Sequence, residues 1–166
     1  MSFDHPCAVI ADDERLMRDQ LRARLAQVWP NLEIVAEAKN GIEAIEAVRT
    51  HLPDVIFLDI RMPGLTGVEA AKEIAQLDLG DDALLPEMVF ITAYDQYALD
   101  AFAQGAVDYV LKPVRADRLA QTVARLQNGL RQRQPGPQTS EHLDPVLQQL
   151  RALLSASTEA AKPDAP

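Results

Sequence analysis

The stretch "VIFLDIRMPG", residues 55–64, decides how this chain is read. An apolar run of strand length ends in one carboxylate, Asp59, and then turns sharply through Met62, Pro63 and Gly64. A lone charge at the tip of a buried strand is costly unless a neighbour compensates it. The reading therefore turns on which other residues arrive at the same place.

The apolar run around Asp59 covers 54–60, and four others share its character: "CAVIA" (7–11), "EIVAEA" (33–38), "MVFITA" (88–93) and "DYVLKPV" (108–114). They are short, rich in Val, Ile and Phe, and mostly non-alternating, the pattern of strands covered on both faces. Helical spacing fills the gaps. Met17, Leu21, Leu25 and Val28 fall on one face of 13–29, with Trp29 packing at its end, and Ile42, Ile45, Val48 and Leu52 repeat the pattern over 40–53. Leu119, Val123, Leu126 and Leu130 do the same over 115–133. Strand followed by helix, five times over, predicts an α/β fold with a parallel sheet and helices on both faces.

The 166 residues, 48% of them hydrophobic, suffice for one core and an appendage. The domain is expected over 1–131, followed by a Pro- and Gly-containing linker over 132–140 and a helical tail over 141–157. Residues 158–166, "TEAAKPDAP", read as a flexible tail leading to an output domain outside these residues. No basic segment precedes an apolar core at the N-terminus, and no apolar run reaches the roughly 18 residues of a membrane span, so a cytoplasmic protein without membrane contact is expected. The net charge of −9 opposes attraction to bare DNA. Cys7, the sole cysteine, reads as a small core residue, and His5, His51 and His142 are scattered and form no metal set.

In an open parallel sheet, ligands gather at the carboxyl ends of the strands. The first run ends in Asp12 and Asp13, the third in Asp59, the fourth in Thr92, and the fifth in Lys112 before Pro113. Three converging carboxylates repel unless a cation relieves them, and an oxygen-only set suits Mg²⁺. Lys112 as a point charge and Thr92 as a donor suit phosphoryl oxygens. The set is built to receive a phosphoryl group on Asp59 acting as nucleophile.

"ADDE" (11–14), "FLDIRMPG" (57–64), "ITA" (91–93) and "DYVLKP" (108–113), in this order, resemble the receiver domain of two-component response regulators over residues 7 to 131. The resemblance implies a flavodoxin-like (CheY-like) doubly wound sheet of five parallel strands in the order 2-1-3-4-5. It implies that Asp59 is the phosphoacceptor from a sensor histidine kinase, and that Asp13, Asp59 and the backbone carbonyl of Arg61 hold Mg²⁺ (or Mn²⁺). Asp12 would reach the ion directly or through water. Thr92 and Lys112 match the phosphoryl-sensing pair, Tyr109 the switch aromatic, and Lys112–Pro113 a cis peptide bond. "ITAYDQYALDAFAQGAVDYVLKP" (91–113) is similar to receivers of the LytTR class, whose output binds DNA, so any DNA contact would be made through that output. Homodimerisation on phosphorylation is expected, through the helices flanking the fifth strand or through the tail stripe Leu143, Val146, Leu147, Leu150 and Leu154. Arg61 and Tyr94, each two residues beyond a site residue, would shield the acyl phosphate from water and slow its hydrolysis.

Other functions compete with this reading. A phosphatase of the haloacid dehalogenase kind needs a second acid two residues beyond the nucleophile, where Arg61 stands. A dinucleotide site needs a glycine-rich turn where "ADDER" stands. A pseudo-receiver would lack a key residue, and none is missing. A stand-alone receiver acting through protein contacts remains the alternative to a transcriptional output.

Overall fold

The computed structural model describes residues 5–81, 83–93 and 106–133. Its five strands are β1 (Cys7–Ala11), β2 (Glu33–Ala38), β3 (Val55–Leu58), β4 (Glu87–Thr92) and β5 (Asp108–Leu111). They pair in parallel in the order β2-β1-β3-β4-β5. The described helices are α1 (Arg15–Val28), α2 (Gly41–His51), α3 (Gly67–Ala75) and α4 (Ala116–Gln132). This is the flavodoxin-like fold, with helices on both faces of the sheet.

Burial explains which apolar runs alternate and which do not. β3 and β4 are buried at every position, whereas the edge strands β2 and β5 mix buried and open positions. One core layer joins Val9, Ile56, Leu58 and Phe90 to Ala44 and Val48 of α2 and Ile74 of α3. The other joins Ile10, Phe57, Val89 and Val110 to Leu21 and Leu25 of α1 and Leu119 and Leu126 of α4. Trp29 is buried at the end of α1, as its position predicts.

Two helical stripes differ from their sequence expectation. α2 buries Gly41, Ala44 and Val48, while Ile42 and Leu52 stay exposed. Close packing explains this: a Cβ at Gly41 would lie 2.6 Å from the Cβ of Leu65, so the inner face requires small residues. Leu52 follows the helix in the left-handed region at φ 47°, turning its side chain outward. On α1 the buried positions are Arg18, Leu21 and Leu25, with Met17 and Val28 half-buried. The expected stripe of α4 is buried throughout, and its helix runs through Gln132 to a buried Arg133, past the expected boundary at 131.

Local signals fix the starts of α2 and α3. Asn40 accepts from the Glu43 amide, and Thr66 and Glu69 form a reciprocal capping box. At the end of α4, Arg133 donates to the carbonyls of Asp54 (3.4 Å) and Leu85 and stands 3.8 Å from Glu87. Cys7, half-buried, donates its amide to the Asp54 carboxylate at 2.9 Å, and burial pushes its thiol up, keeping it protonated. The tail stripe and the segment 94–105 lie outside the described residues.

Candidate functional site

Parallel register brings the critical residues to one pole. Ala11 of β1 pairs with Leu58 of β3, so the next residues, Asp12 and Asp59, emerge side by side, and the Asp59 amide donates to the Ala11 carbonyl at 2.8 Å. On the other side, Thr92 pairs with Leu111, and the Lys112 amide donates to the Thr92 carbonyl at 2.8 Å. Neighbouring strand ends thus deliver two acids and an ammonium to one cleft, with Thr92 at the end of the adjoining strand.

The Lys112 ammonium bridges the acids. Its Nζ lies 2.7 Å from Asp12 Oδ2 and 3.2 Å from Asp59 Oδ2. Asp12 and Asp59 are both 5% exposed and Thr92 is fully buried. Burial raises the Asp59 carboxyl above its usual range, the Asp12 charge adds to this, and Lys112 opposes both. Burial alone would pull Lys112 down, but its bonds to Asp12 and Asp59 outweigh that and carry it above the ordinary lysine value. The lysine therefore stays charged.

The carboxylates of Asp12, Asp13 and Glu14 offer oxygens that lie within 4.8 Å of one another. Asp12 is buried, Asp13 and Glu14 are exposed, and the Glu14 amide donates to Asp12 Oδ1 at 2.9 Å. An oxygen-only set with one wall in the protein and one open to solvent matches a hard divalent cation that keeps part of its water shell. The acidic pocket and its donor chemistry fit such an ion.

The turn after Asp59 is held from below. The Gly67 amide donates to the Ile60 carbonyl at 2.8 Å, and a Cβ at Gly67 would lie 2.0 Å from the Asp59 carbonyl oxygen. Only glycine allows the first turn of α3 to press against the backbone of Asp59. Gly64, at φ 75°, makes the tight turn that leaves Arg61 exposed.

Of the residues expected from sequence, the structure joins Asp12, Asp59 and Lys112 directly and sets Asp13 beside Asp12. Thr92 closes β4, and the Lys112–Pro113 bond is cis. Tyr109 lies half-buried on β5 against the core layer that contains Phe90. Tyr94 lies outside the described residues. The sequence reading missed Arg18. A charged residue on the inner stripe of α1, at the 18, 21, 25 spacing, was the available signal for Arg18.

Residues 8–124 match the model of the response regulator receiver domain. An uncharacterised response regulatory protein of Vibrio cholerae is 51% identical over 124 residues, covering 75% of this chain and 46% of that protein. The transcriptional regulatory protein BtsR of Escherichia coli is 45% identical over 118 residues, covering 71% of this chain and 46% of that protein. This chain thus matches a little under half the length of each of these relatives. Among solved structures, the response regulatory domain of the protein mrkE from Klebsiella pneumoniae superposes with a TM-score of 0.68 at 31% identity, covering 76% of this chain and 99% of that one. The receiver domain of AraT from Geobacillus stearothermophilus gives 0.67 at 36% identity, covering 76% and 96%. Sheet order, acidic pocket and bridging lysine thus agree with the sequence matches, and the chain belongs to the response regulator receiver family of two-component signalling.

Proposed function

We propose that Asp59 accepts a phosphoryl group from the phosphohistidine of a sensor histidine kinase, making the domain a phosphorylation-controlled switch. The observation that carries this is the Lys112 bridge, which gathers Asp12 and Asp59 under one half-buried ammonium. In the transfer, a carboxylate oxygen of Asp59 attacks phosphorus, the bond from phosphorus to the histidine nitrogen breaks, and the imidazole leaves with the electron pair. Lys112 then faces an acyl phosphate and pairs with its oxygens, and the Thr92 hydroxyl donates to another.

Asp12, Asp13, Asp59 and the Arg61 carbonyl would hold Mg²⁺ (or Mn²⁺), which offsets the charge of the phosphoryl oxygens when bound. Before that charge arrives, this chain's own residues orient the acceptor: the Ala11 carbonyl and α3 fix the Asp59 backbone, and Lys112 opposes the rise that burial and Asp12 impose on its carboxyl. Drawing Thr92 toward the phosphoryl group vacates space for Tyr109 and shifts the surface around β5 and α4 between two populated states.

The wider output is a LytTR-type transcriptional regulator acting in the cytoplasm, in which DNA is bound outside these residues and phosphorylation favours a homodimer. The likeness of 91–113 to such receivers and the relationship to a transcriptional regulatory protein support this. Gel-shift titration at low salt and sedimentation with and without phosphodonor test the two halves.

The central test is intact mass after incubation with acetyl phosphate or phosphoramidate and Mg²⁺. One added phosphoryl group is expected, absent in Asp59→Asn and in EDTA. Undiminished labelling of Asp59→Asn would falsify the assignment.

A further inference from the structure

A guanidinium sits behind the acidic pocket where α1 should be apolar. The buried stripe of α1 is Arg18, Leu21 and Leu25, and Arg18 is 8% exposed. Its Nη1 donates to the carbonyl oxygen of Asp12 at 2.8 Å, and its Nε donates to Glu37 Oε1 at 2.7 Å. The Asp12 carbonyl belongs to the peptide that joins Asp12 to Asp13. Arg18 therefore grips the link between the two acids.

We infer that Arg18 is a positioning residue for divalent-cation capture, fixing the Asp12–Asp13 peptide against β2 so that both carboxylates are presented together. This deepens the reading of the acidic pocket as a cation site and rests on it. The anchor lies at the end of β2. Glu37 is fixed by Arg18 and also by Arg22, whose Nη2 lies 2.6 Å from Glu37 Oε2, and the bond to Arg22, followed by that to Arg18, holds its carboxyl below the usual range. The neighbouring Ala38 carbonyl accepts the Asp12 amide at 3.0 Å. The Asp12 backbone is thus held from β2 at its amide directly and at its carbonyl through Arg18.

Charge and orientation pull in opposite directions here. A bare cation behind the pocket would repel an incoming divalent ion, but the pairing with Glu37 spends that charge locally. Orientation then remains as the contribution of Arg18. Its two bonds leave one rigid, planar fork toward two different acceptors, which a lysine ammonium does not reproduce. Groups that orient metal ligands from behind are typically worth about 10- to 100-fold in affinity.

The test is Mn²⁺ affinity of the full 166-residue chain, read from the free-ion paramagnetic resonance signal, for wild type, Arg18→Lys, Arg18→Ala, Glu37→Gln and Arg133→Ala. Affinity is expected to fall about 10-fold in both Arg18 variants, and less in Glu37→Gln, whose amide oxygen still accepts from Nε. Arg133→Ala, which loses buried contacts at the opposite pole, is expected to lose stability and keep wild-type affinity. Arg18 variants that bind as tightly as wild type overturn the inference. An Arg18→Ala that binds more tightly overturns it as well, since charge alone would then govern. A parallel loss in Arg133→Ala reduces Arg18 to a general stabiliser and also overturns it. If Arg18→Ala does not fold, Arg18→Lys decides. A wild-type chain that binds no Mn²⁺ sinks the cation reading itself, whereas wild-type binding with unchanged Arg18 variants sinks only the role given to Arg18.

Discussion

Lys112 Nζ lies 2.7 Å from Asp12 Oδ2, joining two strand ends that are 100 residues apart in the chain. Because the same ammonium also serves Asp59, its removal takes from two adjacent buried carboxylates the counter-charge they share. Lys112→Met is expected to destabilise the domain by about 2 kcal/mol, below the roughly 3–5 kcal/mol of a fully buried pair because the cleft opens to solvent. Urea unfolding with and without Mg²⁺ checks this: the variant should gain more from the ion than wild type does, because the ion replaces the missing charge. Equal gains would count against the bridge as the compensating charge.

Asp59 supplies a test in pH. Its carboxyl is raised by burial first and by Asp12 second, so the folded state holds the proton more tightly than the unfolded state. Stability from this group is full below the ordinary aspartate value of about 3.9 and is lost as pH rises through the folded value. The carboxyl is therefore a burden at neutral pH, and Asp59→Asn is expected to be more stable than wild type there. The difference should narrow as the pH is lowered toward about 4. Urea midpoints for the two proteins across that range measure it, and a pH-independent difference would remove the ionisation argument.

Asp108 behaves in the opposite sense. Burial alone would raise its carboxyl, but Arg118, the Thr122 hydroxyl and the Tyr109 amide outweigh that and lower it. Its oxygens take bonds from Arg118 at 2.9 and 3.1 Å and from Thr122 at 2.7 Å, with Arg125 at 3.0 Å. Its stabilisation is present above about 3.9 and is lost as pH falls through the lowered folded value. Asp108→Asn is expected to cost about 2 kcal/mol at neutral pH, less than a fully enclosed pair because both arginines are partly open to water. Thermal unfolding at pH 7 and at pH 3 should show the gap closing in acid.

Gly67→Ala places a methyl group 2.0 Å from the Asp59 carbonyl oxygen, where backbone must move. Overpacking of this kind costs about 1–3 kcal/mol. Phosphorylation should slow along with it, since the displaced backbone is that of the acceptor. Gly129→Ala is the control, because nothing lies within 4 Å of its added Cβ. Rates of mass gain with phosphodonor that are equal in the two variants would separate α3 packing from the site.

The strands were legible because burial on both faces writes an apolar run into the sequence: β1 and β2 coincide with their runs, and the other described strands end within three residues of theirs. The end of each run was legible for the same reason: Asp12, Asp59, Thr92 and Lys112 interrupt apolar stretches, and parallel register does the rest. What stayed hidden was polar burial with distant partners. Arg18 looks like one more surface charge until Glu37 and the Asp12 carbonyl are placed around it, and Arg133 looks like linker until it meets Glu87 and Asp54. The small inner face of α2 was hidden too. Helical spacing counts large apolar residues, and here Ile42 faces outward while Gly41 and Ala44 face in.

The grip of Arg133 has a practical side. The 17 residues of α4 carry the chain about 25 Å from the Lys112 pole to the amino ends of β3 and β4. There the guanidinium is bonded to the Asp54 and Leu85 carbonyls and paired with Glu87. Arg133 therefore stands at the amino ends of the central strands, at the opposite pole from Asp59. A surface anchor or a force handle attached at Arg133 would hold the domain by its floor with the acidic cleft facing outward, and a pull applied there would load the central strands before it reached the lysine.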